Sequence, residues 1–373
     1  MRVLIAGGGT GGHLYPGIAL ARALTRRNPA ALVSFVGTAQ GIEARVVPRE
    51  GFELDLIHVA GLKGKSRVDR AIGVGLLPLA VIDSLRVLAK RQPDVVVGVG
   101  GFASGPVVAM AALLGYPTML LEQNAMPGVT NRLLSRFVRA AAVNYEAALT
   151  YFPRTGFVAG NPVRPEFFPA ENEEANDRSN QPRDAARVLV FGGSQGAHSI
   201  NVAMVAAASR LATSGLRLAI THQTGERDLD LVRDAYRRAG VEARVEAFIF
   251  QIDREMKAAG LVICRAGATT LAELAASGTP AILVPLPDST DDHQRKNAEV
   301  VGRTGAALVI EERDLETTLA GALSGLMADP ARRAQMRVAA RSQARPDAAE
   351  RIADRVEQLG GRPSSGTGTG HAR

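Results

Sequence analysis

Apolar residues along this chain fall into short runs separated by stretches of helical spacing. Residues 2–6, 31–36, 95–99, 118–121 and 140–143 read as strands in the first half, and 188–191, 217–221, 243–248, 261–264 and 281–284 in the second. The runs are nearly continuous in Val, Ile, Leu and Ala rather than alternating with polar residues, the pattern of strands covered on both faces. Strands of that kind alternating with helical segments predict doubly wound parallel sheets, here built twice. Two stretches half a chain apart also align position by position: Val3-Leu-Ile-Ala-Gly-Gly-Gly-Thr-Gly-Gly-His13 and Val188-Leu-Val-Phe-Gly-Gly-Ser-Gln-Gly-Ala-His198. Each is an apolar run, a glycine-rich turn and a helix-permissive segment, which leaves backbone N–H groups facing an anion at a helix N-terminus.

A length of 373 residues agrees with two domains, each with its own core. A hydrophobic content of 46% against 22% charged residues describes an ordinary globular chain, so disorder is expected only in short segments. Two such segments stand out: a polar stretch at 171–183 near the domain boundary, and a Gly-, Ser- and Thr-rich tail at 360–373. The single cysteine, Cys264, excludes an intrachain disulfide framework and reads as a buried small hydrophobe. Residues 3–6 are too few for the core of a signal peptide. The charge-free window 95–121 is broken by Gly98, Gly100, Gly101, Gly105, Pro106, Gly115 and Pro117 into pieces too short to cross a membrane. A net charge of +7 favours anionic partners; nucleic acid is not expected, for want of aromatic or zinc-binding signatures.

Gly7, Gly9 and Gly12 satisfy G-x-G-x-x-G after a strand, but the second strand ends Phe35-Val36-Gly37-Thr38 without the acid that would hold a dinucleotide ribose. Phosphate binding without a nicotinamide or flavin cofactor is the expectation. Further glycine turns at 98–106 and 264–270 also open helices, and all four would line the C-terminal edges of their sheets, facing one inter-domain cleft. Glu273, about one turn into the helix after Gly267, is either a ribose ligand or a first-turn acid that favours the macrodipole. His13, closing the first glycine loop, is either a general base or a capping histidine. Asp228-Leu-Asp230 spells D-x-D, yet lies in a helical stretch and reads as a solvated face. Lys63, Lys65, Arg67 and Arg70 precede an apolar segment containing Ile72, Leu76, Leu77 and Leu79, which is either core or a surface for an anionic membrane.

Taken in order, Gly7-Gly-Gly-Thr-Gly-Gly-His13, Gly100-Gly-Phe-Ala-Ser-Gly-Pro106, Glu122-Gln-Asn124, Gly160-Asn-Pro-Val-Arg164, Gly192-Gly-Ser-Gln-Gly196, Cys264-Arg-Ala-Gly267 and Asp292-His-Gln-Arg-Lys-Asn-Ala298 resemble the MurG family over residues 1–358. These are the peptidoglycan N-acetylglucosaminyltransferases that convert lipid I to lipid II. The resemblance implies a GT-B fold of two Rossmann-like domains. One, residues 1–163, would face acceptor and membrane, with a helix at 347–359 packing back on it; the other, residues 164–346, would bind the UDP-sugar. It implies that UDP-N-acetylglucosamine meets Ser194 and Ala268, Thr269 and Thr270 at its phosphates, Ile249 at uracil, Glu273 at the ribose and Gln294 at the sugar. Arg164, Asn124, Thr10, Gly11 and Gly12 would complete that site. Gly8, Gly9, Gly101, Ser104 and Gly105 would hold the diphosphate of lipid I, with His13, or else Glu122, as base. It further implies no metal and no cofactor, and a peripheral place on the cytoplasmic face of the bacterial inner membrane. Leu121, Phe102-Ala103, Phe250-Gln251 and His293 depart from the family's usual residues. A UDP-N-acetylglucosamine 2-epimerase of the same architecture and a silent nucleotide-sugar binder remain the alternatives.

Overall fold

The computed structural model describes residues 1–59, 75–169, 187–193, 195–213 and 218–361. They form two compact units: Met1–Gln123 with Pro127–Pro162 and the segment from Asp347 onward, and Asn124–Met126 with Val163–Pro346.

The first unit runs β1 (Arg2–Gly7), α1 (Gly11–Arg27), β2 (Leu32–Gly37), α2 (Glu43–Arg49), β3 (Glu53–Leu56), α3 (Leu77–Arg91), β4 (Val95–Gly100), α4 (Ser104–Leu113), β5 (Thr118–Glu122), α5 (Val129–Leu134), β6 (Ala140–Val143) and β7 (Gly156–Val158). Its strands pair in parallel in the order β3-β2-β1-β4-β5-β6-β7. Val3 and Ile5 enter the core on one face of the sheet, while Leu4 and Ala6 enter the other. Burial on both faces is why these strands read as unbroken apolar runs.

The second unit repeats the plan with β8 (Arg187–Phe191), α6 (His198–Thr213), β9 (Ala219–Gln223), α7 (Leu229–Ala239), β10 (Ala243–Glu246), α8 (Ile252–Ala258), β11 (Leu261–Cys264), α9 (Ala268–Ser277), β12 (Ala281–Leu283), α10 (His293–Arg303), β13 (Ala307–Val309), α11 (Leu315–Ala328) and α12 (Pro330–Ser342). Its strand order is β10-β9-β8-β11-β12-β13, again parallel. The repeated strands β1 and β8 thus occupy the same topological position. In both sheets the order reverses beside them, at β1/β4 and at β8/β11, the positions at which sheets of this kind bind ligands beyond their strands' C-terminal ends.

The last helix, α13 (Ala348–Leu359), belongs to the first unit, where Ile352, Ala353 and Val356 are buried in the same core cluster as Leu20 and Leu24 of α1. Arg27 at the end of α1 meets Asp354 at 2.5 Å and Glu357 at 3.2 Å. Three strands, β3, β7 and β13, were not legible as apolar runs. They are short, and none of their residues is fully buried, so little hydrophobic signal marks them. Cys264 is fully buried, as expected of a small hydrophobe. Among the described residues no helix is long and apolar enough to cross a membrane; the charge-free window folds as β4, α4 and β5.

Candidate functional site

In the first unit two glycine turns meet at the sheet's switch point. After β1, Gly7, Gly8 and Gly9 take φ of +141°, +140° and +83°, a conformation that side chains rarely adopt. The Gly8 N–H donates to the Gly100 carbonyl at 3.1 Å, and a Cβ at Gly101 would stand 2.2 Å from the Gly8 oxygen. The His13 ring lies over Gly100, where a Cβ would come within 2.6 Å of it, and its Nδ1 is 3.2 Å from Thr10 Oγ1. His13 is half-buried, whereas Gly9, Thr10 and Gly12 are exposed at the mouth of the turn. The Gly9 N–H is not directed at solvent: it donates to Glu43 Oε2 at 2.7 Å. Glu43, only 1% exposed, also accepts from the Thr38 N–H at 2.8 Å and the Thr38 hydroxyl at 3.0 Å. The backbone N–H groups of Gly8 and Gly9, expected to face a diphosphate, are therefore engaged within the unit. An anion at this turn would have to be met from the exposed start of α1.

At the second turn Gly101 and Gly105 sit beside the start of α4, but Ser104 is fully buried. A Cβ at Gly98 would be 2.6 Å from its Oγ, so the hydroxyl points into the domain and not toward the opening, contrary to its expected role as a phosphate ligand. Glu122 is likewise built into the scaffold: 3% exposed, its Oε2 accepts from Asn131 Nδ2 at 2.8 Å and from the Gly128 N–H at 3.1 Å, which fixes the start of α5.

In the second unit the turn after β8 is pressed against the end of β9. Gly196 has φ +76°, its N–H reaches the Gly193 carbonyl at 3.0 Å, and a Cβ on it would stand 1.8 Å from the Thr224 oxygen. Ser194 lies outside the described residues, as do Lys63, Lys65, Arg67, Arg70 and Ile72. Helix α9 starts after the Gly267 N-cap with Ala268 and Thr269 buried and Thr270 half-buried. Glu273 follows one turn in, its side chain 12% exposed and its Oε1 3.8 Å from Arg164 Nη2. Burial raises its pKa from the ordinary 4.5 to about 7; Arg164 partly opposes that rise and Asp253 adds to it. Arg164 is held over the Phe167 ring, 5.0 Å from its centre.

Ile249 is buried and donates its N–H to Gln223 Oε1 at 2.8 Å, so the backbone group it can offer a base is its carbonyl. Gln294, in the first turn of α10, accepts the Leu286 N–H on Oε1 at 3.1 Å, which leaves its amide NH2 to donate to a hydroxyl. Asn124 accepts from Asn297 Nδ2 at 3.1 Å. The D-x-D reading needs correction. Asp230 is solvated, but Asp228 is 5% exposed, accepting from Asn201 Nδ2 at 2.9 Å and pairing with His198 Nδ1 at 2.9 Å. It is a structural carboxylate, and among the described residues no group of His, Cys, Asp and Glu side chains could hold a metal ion.

Residues 3–143 match the glycosyltransferase family 28 N-terminal domain, and residues 187–352 match its C-terminal domain. The chain belongs to glycosyltransferase family 28. This family 28 chain is 48% identical over 361 residues to the UDP-N-acetylglucosamine–N-acetylmuramyl-(pentapeptide) pyrophosphoryl-undecaprenol N-acetylglucosamine transferase of Anaeromyxobacter dehalogenans, covering 96% of this chain and 93% of the relative. Its fold superposes on the crystal structure of Acinetobacter baumannii MurG with a TM-score of 0.76 at 28% identity, over 96% of this chain and 99% of the other. The two Rossmann-like domains are thus those of a GT-B glycosyltransferase. A putative UDP-N-acetylglucosamine 2-epimerase from Listeria monocytogenes shares the fold alone, with a TM-score of 0.67 at 15% identity over 97% of each chain.

Two residues that brace the glycine turns of this family 28 chain escaped the sequence reading. Glu43 braces the first unit's glycine turn and Gln223 the second unit's. Neither belongs to a glycine motif, and each reaches its turn only through the folded sheet. For Gln223 one signal was available, an uncharged polar residue at the end of an otherwise buried strand.

Proposed function

We propose that the protein transfers N-acetylglucosamine from UDP-N-acetylglucosamine to the 4-hydroxyl of the muramyl sugar of lipid I, giving lipid II for cell-wall synthesis. The observation that carries this reading is near-full-length identity, 48% over 96% of the chain, to an enzyme named for that transfer. The site supports it in both units. In the second, the N-terminus of α9 offers partial positive charge to a departing diphosphate, with Arg164 beside it and Glu273 placed for a ribose diol. Gln294 presents amide hydrogens to a sugar hydroxyl. In the first, the exposed start of α1, with Thr10, Gly11 and Gly12, takes the acceptor diphosphate, since the Gly8 and Gly9 N–H groups and the Ser104 hydroxyl are turned inward.

The reaction is a single in-line displacement. The acceptor O4 forms a bond to the sugar's anomeric carbon as the bond from that carbon to the UDP oxygen breaks, so the α-linked donor becomes a β-1,4-linked product. His13 takes the hydroxyl proton: in the tautomer that donates Nδ1–H to Thr10 Oγ1, 3.2 Å away, Nε2 carries the lone pair that accepts it. Glu122 is the weaker candidate, because its Oε2 already accepts two hydrogen bonds in a buried setting. Charge on the leaving UDP is met by backbone N–H groups and Arg164, and no metal is required. The epimerase alternative rests on fold likeness alone.

Radiolabelled transfer from UDP-N-acetylglucosamine to a lipid I analogue, run with a chelator, tests this reading. Chelator-resistant lipid II formation is expected, and conversion of donor alone to the mannosamine epimer would refute it. In the same assay His13→Ala should lower kcat at least ~100-fold with donor KM within about threefold, the usual size of a lost general base. Wild-type turnover would remove His13 from the role.

A further inference from the structure

The C-terminal end of β9 carries a side chain whose position joins two parts of the proposed donor site. Gln223 is 4% exposed, and β9 lies between β8 and β10, so its carboxamide stands between the turns that leave both neighbours. On one side its Nε2 donates to the Gly193 carbonyl at 2.7 Å, in the glycine turn expected to hold phosphate. On the other its Oε1 accepts the Ile249 N–H at 2.8 Å, at the residue expected to meet uracil. The orientation of the amide is unambiguous: Gly193 offers only an acceptor there and Ile249 only a donor, so a flipped carboxamide would lose both bonds. Gly193 is held twice, since its oxygen also accepts the Gly196 N–H at 3.0 Å.

We propose that Gln223 is a positioning residue for the nucleotide, a clamp that sets the distance between the diphosphate turn and the base-binding backbone so that UDP is gripped as one rigid unit. This rests on the donor reading above. Gln223 touches no reacting atom in that reading. Its loss should loosen ground state and transition state alike, which raises KM and leaves kcat nearly unchanged. Glutamate is the discriminating replacement, being nearly isosteric but placing an oxygen against the Gly193 carbonyl. Methionine fills the volume and offers neither bond.

Donor KM, acceptor KM and kcat measured for Gln223→Glu and Gln223→Met, with folding checked by circular dichroism, test the clamp. A rise of about tenfold or more in donor KM is expected in both, the size of a lost buried hydrogen bond, with kcat and acceptor KM within about threefold. A folded variant that keeps the wild-type donor KM overturns the proposal. Amide hydrogen exchange at Ile249 in the free wild-type chain tests the contact without any variant: protection supports it, and exchange at the rate of an open loop overturns it. Binding of UDP to the wild type tests the donor reading separately, so failure of that reading and failure of the clamp are told apart.

Discussion

Glu273 shows how burial acts on one carboxylate at the proposed donor site. Its pKa in the free protein lies near 7 because burial disfavours the charge, while Arg164 at 3.8 Å is too distant for a hydrogen bond that would offset the penalty. The folded state therefore holds a proton that the unfolded chain releases at about 4.5. Between those values the unfolded state binds fewer protons, so this group's contribution to stability is fullest below pH 4.5 and is lost as pH rises toward 7. Glu273→Gln should remove that loss, gaining about 3 kcal/mol on the wild type between pH 4.5 and 8 in denaturant titrations. The same variant should bind UDP more weakly, since a neutral amide accepts less well from a ribose diol. As the proposed ribose ligand, the ionised carboxylate accepts from the hydroxyls more strongly than the neutral acid, so wild-type UDP affinity should fall as pH drops below about 7. An affinity that is flat from pH 5 to 8 would detach Glu273 from the nucleotide.

Among the elements, the turns that follow β1, β4 and β8 are fixed by steric need, and this is where sequence and structure agree best. Gly196 carries a left-handed φ of +76° and backs onto the Thr224 carbonyl, so an added methyl has nowhere to go. Gly196→Ala should lower the thermal midpoint of the second unit's unfolding and weaken UDP binding together, because the same close approach shapes both. A variant with wild-type melting and affinity would show that the turn tolerates a side chain. Helix ends and edge strands were harder to read. Strand β3 pairs with β2 through Leu54, Asp55 and Leu56, yet Asp55 is tied to Lys90 at 2.6 Å and Arg91 at 2.5 Å, so its polar residues serve the packing of α3 and hide the strand's pattern.

For the molecule as a whole, the apolar segment preceding β4 divides between core and surface. In α3, Ala80, Val87 and Leu88 face inward, while Leu77, Ile82 and Leu85 are 42%, 45% and 39% exposed; Leu76 and Leu79 are half-buried. Leu113, Leu114, Leu133 and Phe137, on and beside α4 and α5, are also exposed. We propose that these exposed apolar side chains, on a chain of net charge +7, dock on an anionic membrane. Binding to phosphatidylglycerol-containing vesicles should be weakened by salt, and should fall about tenfold or more in a Leu77→Ser/Ile82→Ser variant, since each inserted side chain is worth ~1.5–3 kcal/mol. Turnover of a water-soluble acceptor should not change, because neither residue belongs to the proposed site.

Sequence alone determined the parallel sheets, the glycine turns and the family, because buried parallel strands are apolar throughout and a backbone that approaches itself at φ above zero admits little but glycine. It also placed Arg164, Glu273 and Ile249 in one domain by motif order. Only the tertiary structure decided which groups are free to act. Ser104 faces inward, Glu122 is spent on the start of α5, Asp228 is a buried anchor, and Gly8 and Gly9 give their N–H groups to Gly100 and Glu43. The two turns that Gln223 joins were brought to it only once β8, β9 and β10 lay side by side. A motif specifies which atoms a turn can present, whereas the partners that consume those atoms come from residues distant in the chain and adjacent only after folding.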